Sequence, residues 1–223
     1  NRDTMADVPM LDIAGKEMGK LYTQLAIAHT YGDGLVSSCK NTVKAVSDYL
    51  YGVKIDNYIS VTMDAVSRLN DCVGGVTVTV DDDMTAVDPS FVKGTTVTLL
   101  GDKALAYVRA RGAMEDSSNL ARMERQKKYL AAFVEKLADM NVTDTFLLNA
   151  YDQIAEYSVT NCDTSFISAL SRKIGTYSYA GAISPKGDAQ VGEKYMEFYA
   201  DEEDLINILI ELFYDRTQEP TEN

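Results

Sequence analysis

The run Val76-Thr77-Val78-Thr79-Val80 constrains the fold more than any other stretch of this chain. Successive side chains of a strand point to opposite sides, so valines at every second position give an extended segment with one apolar and one polar face. Val97 and Leu99 repeat the spacing and read as its antiparallel partner, with Asp81-Asp82-Asp83 between the two. Three consecutive carboxylates could hold a cation, but at a hairpin loop they read first as a solvated charge run. A half-apolar hairpin must be covered, and the flanking sequence offers helical periodicity for that.

Residues 16–31 carry Leu21, Leu25 and Ala28 at helical spacing and are stopped by Gly32-Asp33-Gly34. Further helices are expected over 37–51 with Ser37 or Ser38 as cap, over 63–71, and from about Ser117-Ser118-Asn119 onward with Met123, Leu130, Val134 and Leu137 inward. Amphipathic segments follow over 145–157 and over 164–174 behind Asp163. The last helix, 201–214, opens with Glu202, Glu203 and Asp204, which suit a helix N-terminus, and lines up Leu205, Ile208, Leu209 and Leu212. Residues 57–62 and 177–183 read as short strands. Helices alternating with strands predict an α/β fold with a mixed sheet flanked by helices.

With 223 residues and 46% hydrophobic content, the chain has ample material for a core. No linker rich in Pro, Gly or Ser separates residues 140 and 200, so 1–223 reads as a single domain, residues 141–223 completing what 1–140 begin; the acidic end, 215–223, reads as frayed. Three cysteines are too few for a disulfide scaffold. Cys39 shares a stripe with Val43, Val46 and Leu50, and Cys72 one with Ala65, Val66 and Leu69, so both read as small buried apolar groups. No run approaches the length of a membrane span, and the start does not read as a signal peptide. The single histidine, His29, has no visible catalytic partner and reads as structural.

A formal net charge of -13 excludes general nucleic-acid binding, which needs many phosphates neutralised by basic residues. Against that background, the stretch from Lys103 to Lys128 inverts the balance, with seven basic residues and three acidic ones. Arg109 and Arg111, two apart, point to one side of an extended segment; Arg122 and Gln126, four apart, share a helix face. Such planar donors suit a multiply charged oxyanion. Spacing alone equally allows Arg109 and Arg111 to pair with Glu115 and Asp116, and Arg122 and Arg125 to solvate a helix. Gln126, beside the apolar stripe, would be partly buried and in need of a hydrogen-bond partner.

The series Lys93-Gly94, Leu99, Gly101, Ala104-Leu105, Tyr107-Val108-Arg109-Ala110-Arg111, Arg122 and Glu124-Arg125-Gln126 resembles the signature of the LytR-CpsA-Psr family of bacterial cell-envelope phosphotransferases. Arg2-Asp3-Thr4 is similar to the family's Arg-Asp-Thr, and Gly74-Gly75-Val76 to its hairpin start. The resemblance is densest from Arg2 to about Met140. It implies a three-layer α/β/α fold with a mixed central sheet. It also implies transfer of a glycopolymer from a polyprenyl-pyrophosphate carrier to a peptidoglycan acceptor, at the extracytoplasmic face of the membrane, with Mg²⁺ as cofactor.

By the same resemblance, Arg2, Asp3 and Arg122 are the candidate catalytic residues, Asp3 orienting Arg2. Arg2, Arg109, Arg111, Arg122 and Gln126 are the candidate pyrophosphate ligands and should share one cleft. The family's metal-binding aspartates, and its membrane anchor, would lie upstream of Asn1. Asn119 departs from the family's frequent Asp, which puts the base in doubt. Products alone would separate this activity from a polyprenyl-pyrophosphate phosphatase, or from a non-catalytic lipid-pyrophosphate binder. A lipid tunnel would use residues 16–31 and those after Tyr58 as walls.

Overall fold

A computed structural model describes residues 2–12, 14–110, 119–140, 142–174, 176 and 179–214. They fall into two compact units, Asn1–Tyr58 with Ile183–Asn223, and Ile59–Ala182. The grouping follows contacts rather than chain order: residues 141–182 pack with the hairpin unit, whereas 183–214 pack with the first 58.

In the first unit, β1 (Met5–Leu11) pairs antiparallel with β2 (Glu17–Gln24). A six-residue 3-10 helix, Leu25–Thr30, follows, and then α1 (Val36–Tyr49). The helix expected over 16–31 is therefore not formed. Asp12 Oδ1 accepts from the amides of Ala14 and Lys16, and Gly15 takes φ +79, so a tight turn forces the segment back along β1. Ladder hydrogen bonds then outweigh helical spacing, and Leu21 is left 42% exposed. The wall expected of a helical 16–31 is not formed either.

The serines do not cap α1: Leu35 stands at its N-cap without a side-chain cap, and the free amides of the first turn go instead to Asp33, two residues earlier. Its Oδ1 accepts from the amides of Leu35 and Ser37, while Ser37 Oγ accepts from Asp33 N. Asn41 ties α1 to the sheet by donating to the carbonyls of Pro9 and Ala28 at 2.9 and 2.8 Å. Val8, Ala28 and Ala45 are fully buried at the centre of this unit.

The second unit holds β3 (Ile59–Val61), α2 (Asp64–Cys72), β4 (Val76–Thr79), β5 (Thr96–Leu99), α3 (Asp102–Arg109), α4 (Asn119–Asp139), α5 (Asp144–Ile154), β6 (Ser158–Thr160) and α6 (Thr164–Ile174). The expected hairpin is present, with Val76 opposite Leu99 and Val78 opposite Val97. Val76, Val78 and Val80 are buried and join Met84, Phe91, Leu99, Ala104 and Tyr107 in the core. On the outer face, Thr77 and Thr98 bond through their hydroxyls at 2.9 Å. Asn70, fully buried, closes the hairpin base: it donates to Leu99 O at 2.8 Å and accepts from Val76 N at 3.2 Å. Asp163 caps α6 as expected, accepting from Phe166 N.

The buried face of α4 is rotated from the one expected. Leu130 is 47% exposed, while Tyr129, Ala132, Phe133, Leu137 and Met140 pack on the core in line with buried Arg125. Counting only apolar residues misses a stripe that begins with an arginine.

The chain then returns to the first unit with β7 (Gly187–Val191), β8 (Met196–Ala200) and α7 (Glu202–Phe213). Of the strand expected over 177–183, Tyr177 and Ser178 lie outside the described residues, and 179–183 form no strand. The pairing falls later because Gly192 N bonds Tyr195 O and turns 187–200 into a hairpin. Asp201 caps α7 by accepting from Asp204 N at 2.8 Å; Leu205 and Leu209 are buried, while Leu212 is 52% exposed.

The fold is thus mixed α/β. Among the described residues its strands pair two by two and antiparallel, with an isolated parallel bridge between Thr4 and Phe198. No helix among them is long and apolar enough to cross a membrane. Cys39 and Cys162 are buried and Cys72 is half-buried; all three are free thiols. His29 Nε2 lies 3.7 Å from Cys39 Sγ.

Candidate functional site

Arg2 and Asp3 belong to the first unit; Arg109, Arg122 and Gln126 belong to the second. Arg111 lies outside the described residues, as do Glu115 and Asp116, its alternative partners.

Asp3 is only 6% exposed, and its Oδ1 accepts from Arg2 Nε and from Gln24 Nε2, each at 3.1 Å. The backbone around it is pinned on both sides: Phe198 N donates to Asp3 O, and Leu25 N donates to Thr4 O. Gln24 donates also to Met196 O at 2.8 Å, linking β2 to β8 behind the carboxylate. The Arg2 guanidinium is thereby fixed at its Nε edge while its side chain stays 47% exposed.

In the second unit, α3 ends at Arg109, whose side chain is exposed and makes no hydrogen bond or ion pair with the described residues. The last carbonyls of a helix have no partner within it, so the end of α3 needs outside donors. Helix α4 supplies them. Arg125 donates from Nε to Tyr107 O at 2.9 Å and from Nη2 to Ala110 O at 2.6 Å, and Gln126 Nε2 donates to Val108 O at 3.1 Å. The residues on either side of Arg109 are thus held from α4, and a buried cation sits at the negative pole of the α3 dipole. Burial lowers the pKa of Arg125, while Tyr107, Asp82 and Asp81 push it back up.

Arg122 is half-buried, one turn before Gln126 on the same helix face. Gln126 has the partner that its position called for, though its side chain is exposed rather than partly buried. Arg125 is the residue that sequence reasoning missed. Its signal was weak, because a buried arginine is visible in sequence only as an interruption of an apolar stripe.

Below Arg125 a pocket of about 150 Å³ is lined by Asp81, Asp82, Tyr107 and Glu124 among others. The Tyr107 hydroxyl is buried with no hydrogen-bond partner among the described residues. Desolvation, reinforced by Asp81, pushes its pKa up to about 12. Lys128 pairs with Asp81, so that carboxylate is already engaged.

The LytR_cpsA_psr family model matches residues 1–203. The chain belongs to this family. The polyisoprenyl-teichoic acid–peptidoglycan teichoic acid transferase TagU of Bacillus cereus (strain AH820) is 34% identical over 115 residues, 52% of this chain and 36% of that protein. The corresponding transferase TagT of Bacillus subtilis (strain 168) is 30% identical over 189 residues, 82% of this chain and 51% of that protein. This LytR_cpsA_psr chain therefore spans about half or less of the length of these curated relatives. A solved structure of TagT bound to LIIa-WTA superposes with a TM-score of 0.71 at 25% identity, covering 94% of this chain and 74% of that one.

Magnesium is implied by the family resemblance alone. Among the described residues no group of three or more His, Cys, Asp or Glu could hold a metal ion. Asp3, the carboxylate of the Arg-Asp-Thr motif, is buried and already accepts from a guanidinium and an amide. No metal is assigned to these residues.

Proposed function

We propose that this chain is the pyrophosphate-handling part of a transferase that moves a glycopolymer from a polyprenyl-pyrophosphate carrier to peptidoglycan, outside the cytoplasmic membrane. The relatives' names support the donor and acceptor. The observation that carries the reading is the clamp on the end of α3, where Arg125 and Gln126 bind three carbonyls around Arg109 and leave the Arg109 guanidinium exposed. A helix end tied down this firmly presents its terminal cation at a fixed place, which is what binding a diphosphate requires.

In this reading Arg109 and Arg122, with Arg111, bind the diphosphate oxygens. Within the first unit, Asp3 steadies the Arg2 guanidinium. Gln126 spends one amide hydrogen on Val108 O and keeps the second to donate to a diphosphate oxygen. As the bond from the transferred phosphate to the carrier breaks, negative charge grows on the leaving phosphate. A guanidinium carried on the clamped end of α3 stabilises that charge. Asn119 carries no titratable proton acceptor, so the base for the acceptor hydroxyl is not placed there.

The test is transfer by the whole protein carrying this chain, from a polyprenyl-pyrophosphate-linked glycan to peptidoglycan sacculi. Glycan bound covalently to the sacculus is expected, with a fall of at least about tenfold for Arg109→Ala, the loss of one charge-assisted hydrogen bond. Glycan released into solution, with none on the sacculus, would instead identify a phosphatase.

A further inference from the structure

The unit built from both chain ends carries a second concavity, a cleft of about 460 Å³. It contains none of the arginines discussed above. Its walls are aromatic: Tyr22 comes from β2, Tyr49 from the last residue of α1, Tyr51 from the turn after it, and Tyr199 from β8. The rings of Tyr22 and Tyr199 lie 6.4 Å apart between centroids with 33° between their planes. Tyr22 is 56% exposed and Tyr51 53%. Grouped aromatic surface of this kind, open to solvent inside a concavity, marks a ligand site more often than a failure of packing.

Polar groups converge on the same space. Asp7 stands directly across the ladder from Tyr22. Tyr51 donates its hydroxyl to Glu202 Oε1 at 2.7 Å, and Lys20 donates to Asp48 Oδ2 at 2.9 Å. The hydroxyls of Tyr22 and Tyr49 have no hydrogen-bond partner among the described residues. Desolvation raises the pKa of both phenols, so each keeps a proton to donate. The lining carries three carboxylates and one ammonium; Asp48 is paired with both Lys20 and Lys44, which leaves Asp7 and Glu202 to repel a polyanion.

Flat apolar rings beside carboxylate acceptors and phenol donors match the surface of a pyranose, which has an apolar C–H face and a rim of hydroxyls. We propose that this cleft binds a neutral stretch of β-linked glycan chain. Its place in the reaction, as a holder of the acceptor glycan, rests on the function proposed above; the binding itself does not. The anionic donor polymer is excluded by the charge of the cleft, and a lipid surface by its carboxylates.

The test is calorimetric titration of the protein with chitotetraose, a neutral β-linked tetrasaccharide. Saturable binding is expected, weakened roughly three- to tenfold by Tyr22→Ala and less by Tyr22→Phe, which keeps the aromatic face and loses only the hydroxyl donor. Asp7→Asn, a change of charge alone on an exposed side chain, serves as a second variant and should also weaken binding. Absence of saturable binding, equal affinity in Tyr22→Ala and Asp7→Asn, or displacement of the sugar by poly(glycerol phosphate) would each overturn the proposal. A protein that transfers glycan but does not bind chitotetraose refutes the cleft and spares the transferase. One that binds chitotetraose but transfers nothing does the reverse.

Discussion

Arg125 Nε donates to the carbonyl of Tyr107 at 2.9 Å, so a guanidinium that is 5% exposed closes the end of the helix carrying Arg109. Loss of this side chain strands two buried carbonyls. Arg125→Ala should cost about 2 to 4 kcal/mol of stability, measured by urea denaturation, since hydrogen bonds to charged groups contribute ~1.5 to 3 kcal/mol each. Arg125→Lys should recover less than half of that loss, because an ammonium cannot reproduce the fork that spans Tyr107 and Ala110.

Arg109→Ala should behave in the opposite way. Its side chain is exposed and has no hydrogen-bond or ion-pair partner among the described residues, so stability should stay within about 0.5 kcal/mol of the parent. Affinity for inorganic pyrophosphate, read by calorimetry, should fall about tenfold or more. A large stability loss with unchanged pyrophosphate affinity would make Arg109 a structural residue.

Gly75→Ala should destabilise the hairpin unit. Gly75 takes φ +86, and a Cβ there would lie 2.6 Å from Leu99 O, the same carbonyl that Asn70 holds. Strain of this kind costs on the order of 1 to 3 kcal/mol, and a steric clash against backbone adds to it. The denaturation midpoint should drop with no change in the slope of the transition.

Alkaline pH should unfold the second unit through its buried phenols. Tyr107 and Tyr129 both have pKa values pushed up to about 12, with desolvation as the first cause, against an ordinary value of about 10. The folded state holds those protons where the unfolded state has released them. Their contribution is therefore complete below about pH 10 and is lost as pH rises towards 12. Tyr107→Phe should flatten the fall in melting temperature across that window. At neutral pH it should be neutral or stabilising, because the hydroxyl it removes is buried and has no hydrogen-bond partner among the described residues.

Asp3→Asn should loosen Arg2 without unfolding the chain. It replaces a charged acceptor of two hydrogen bonds by a neutral one, a loss of about 1 to 2 kcal/mol in stability. The melting temperature should fall by a few degrees on that account.

The sequence by itself determined what local rules determine. Period-two valines fixed the β4–β5 hairpin and its buried face, because a strand can present Val76, Val78 and Val80 to only one side. Asp163 and the acids at Glu202–Asp204 marked two helix starts, because capping depends on residues a few positions apart. The series of motifs along residues 2–126 was enough to place the chain in its family.

Tertiary structure decided the rest. Leu21, Leu25 and Ala28 satisfy a helical period, yet β1 offers the segment a hydrogen-bonding ladder, and pairing with distant residues is invisible in a local window. The α4 face was set by the carbonyls at the end of α3, which can be satisfied only by whatever donor another helix brings to them; that donor proved to be Arg125, and the apolar stripe turned to accommodate it. The tyrosines of the first unit are separated by up to 177 positions in sequence, Tyr22 to Tyr199, and only the return of β8 to the first unit makes them one surface.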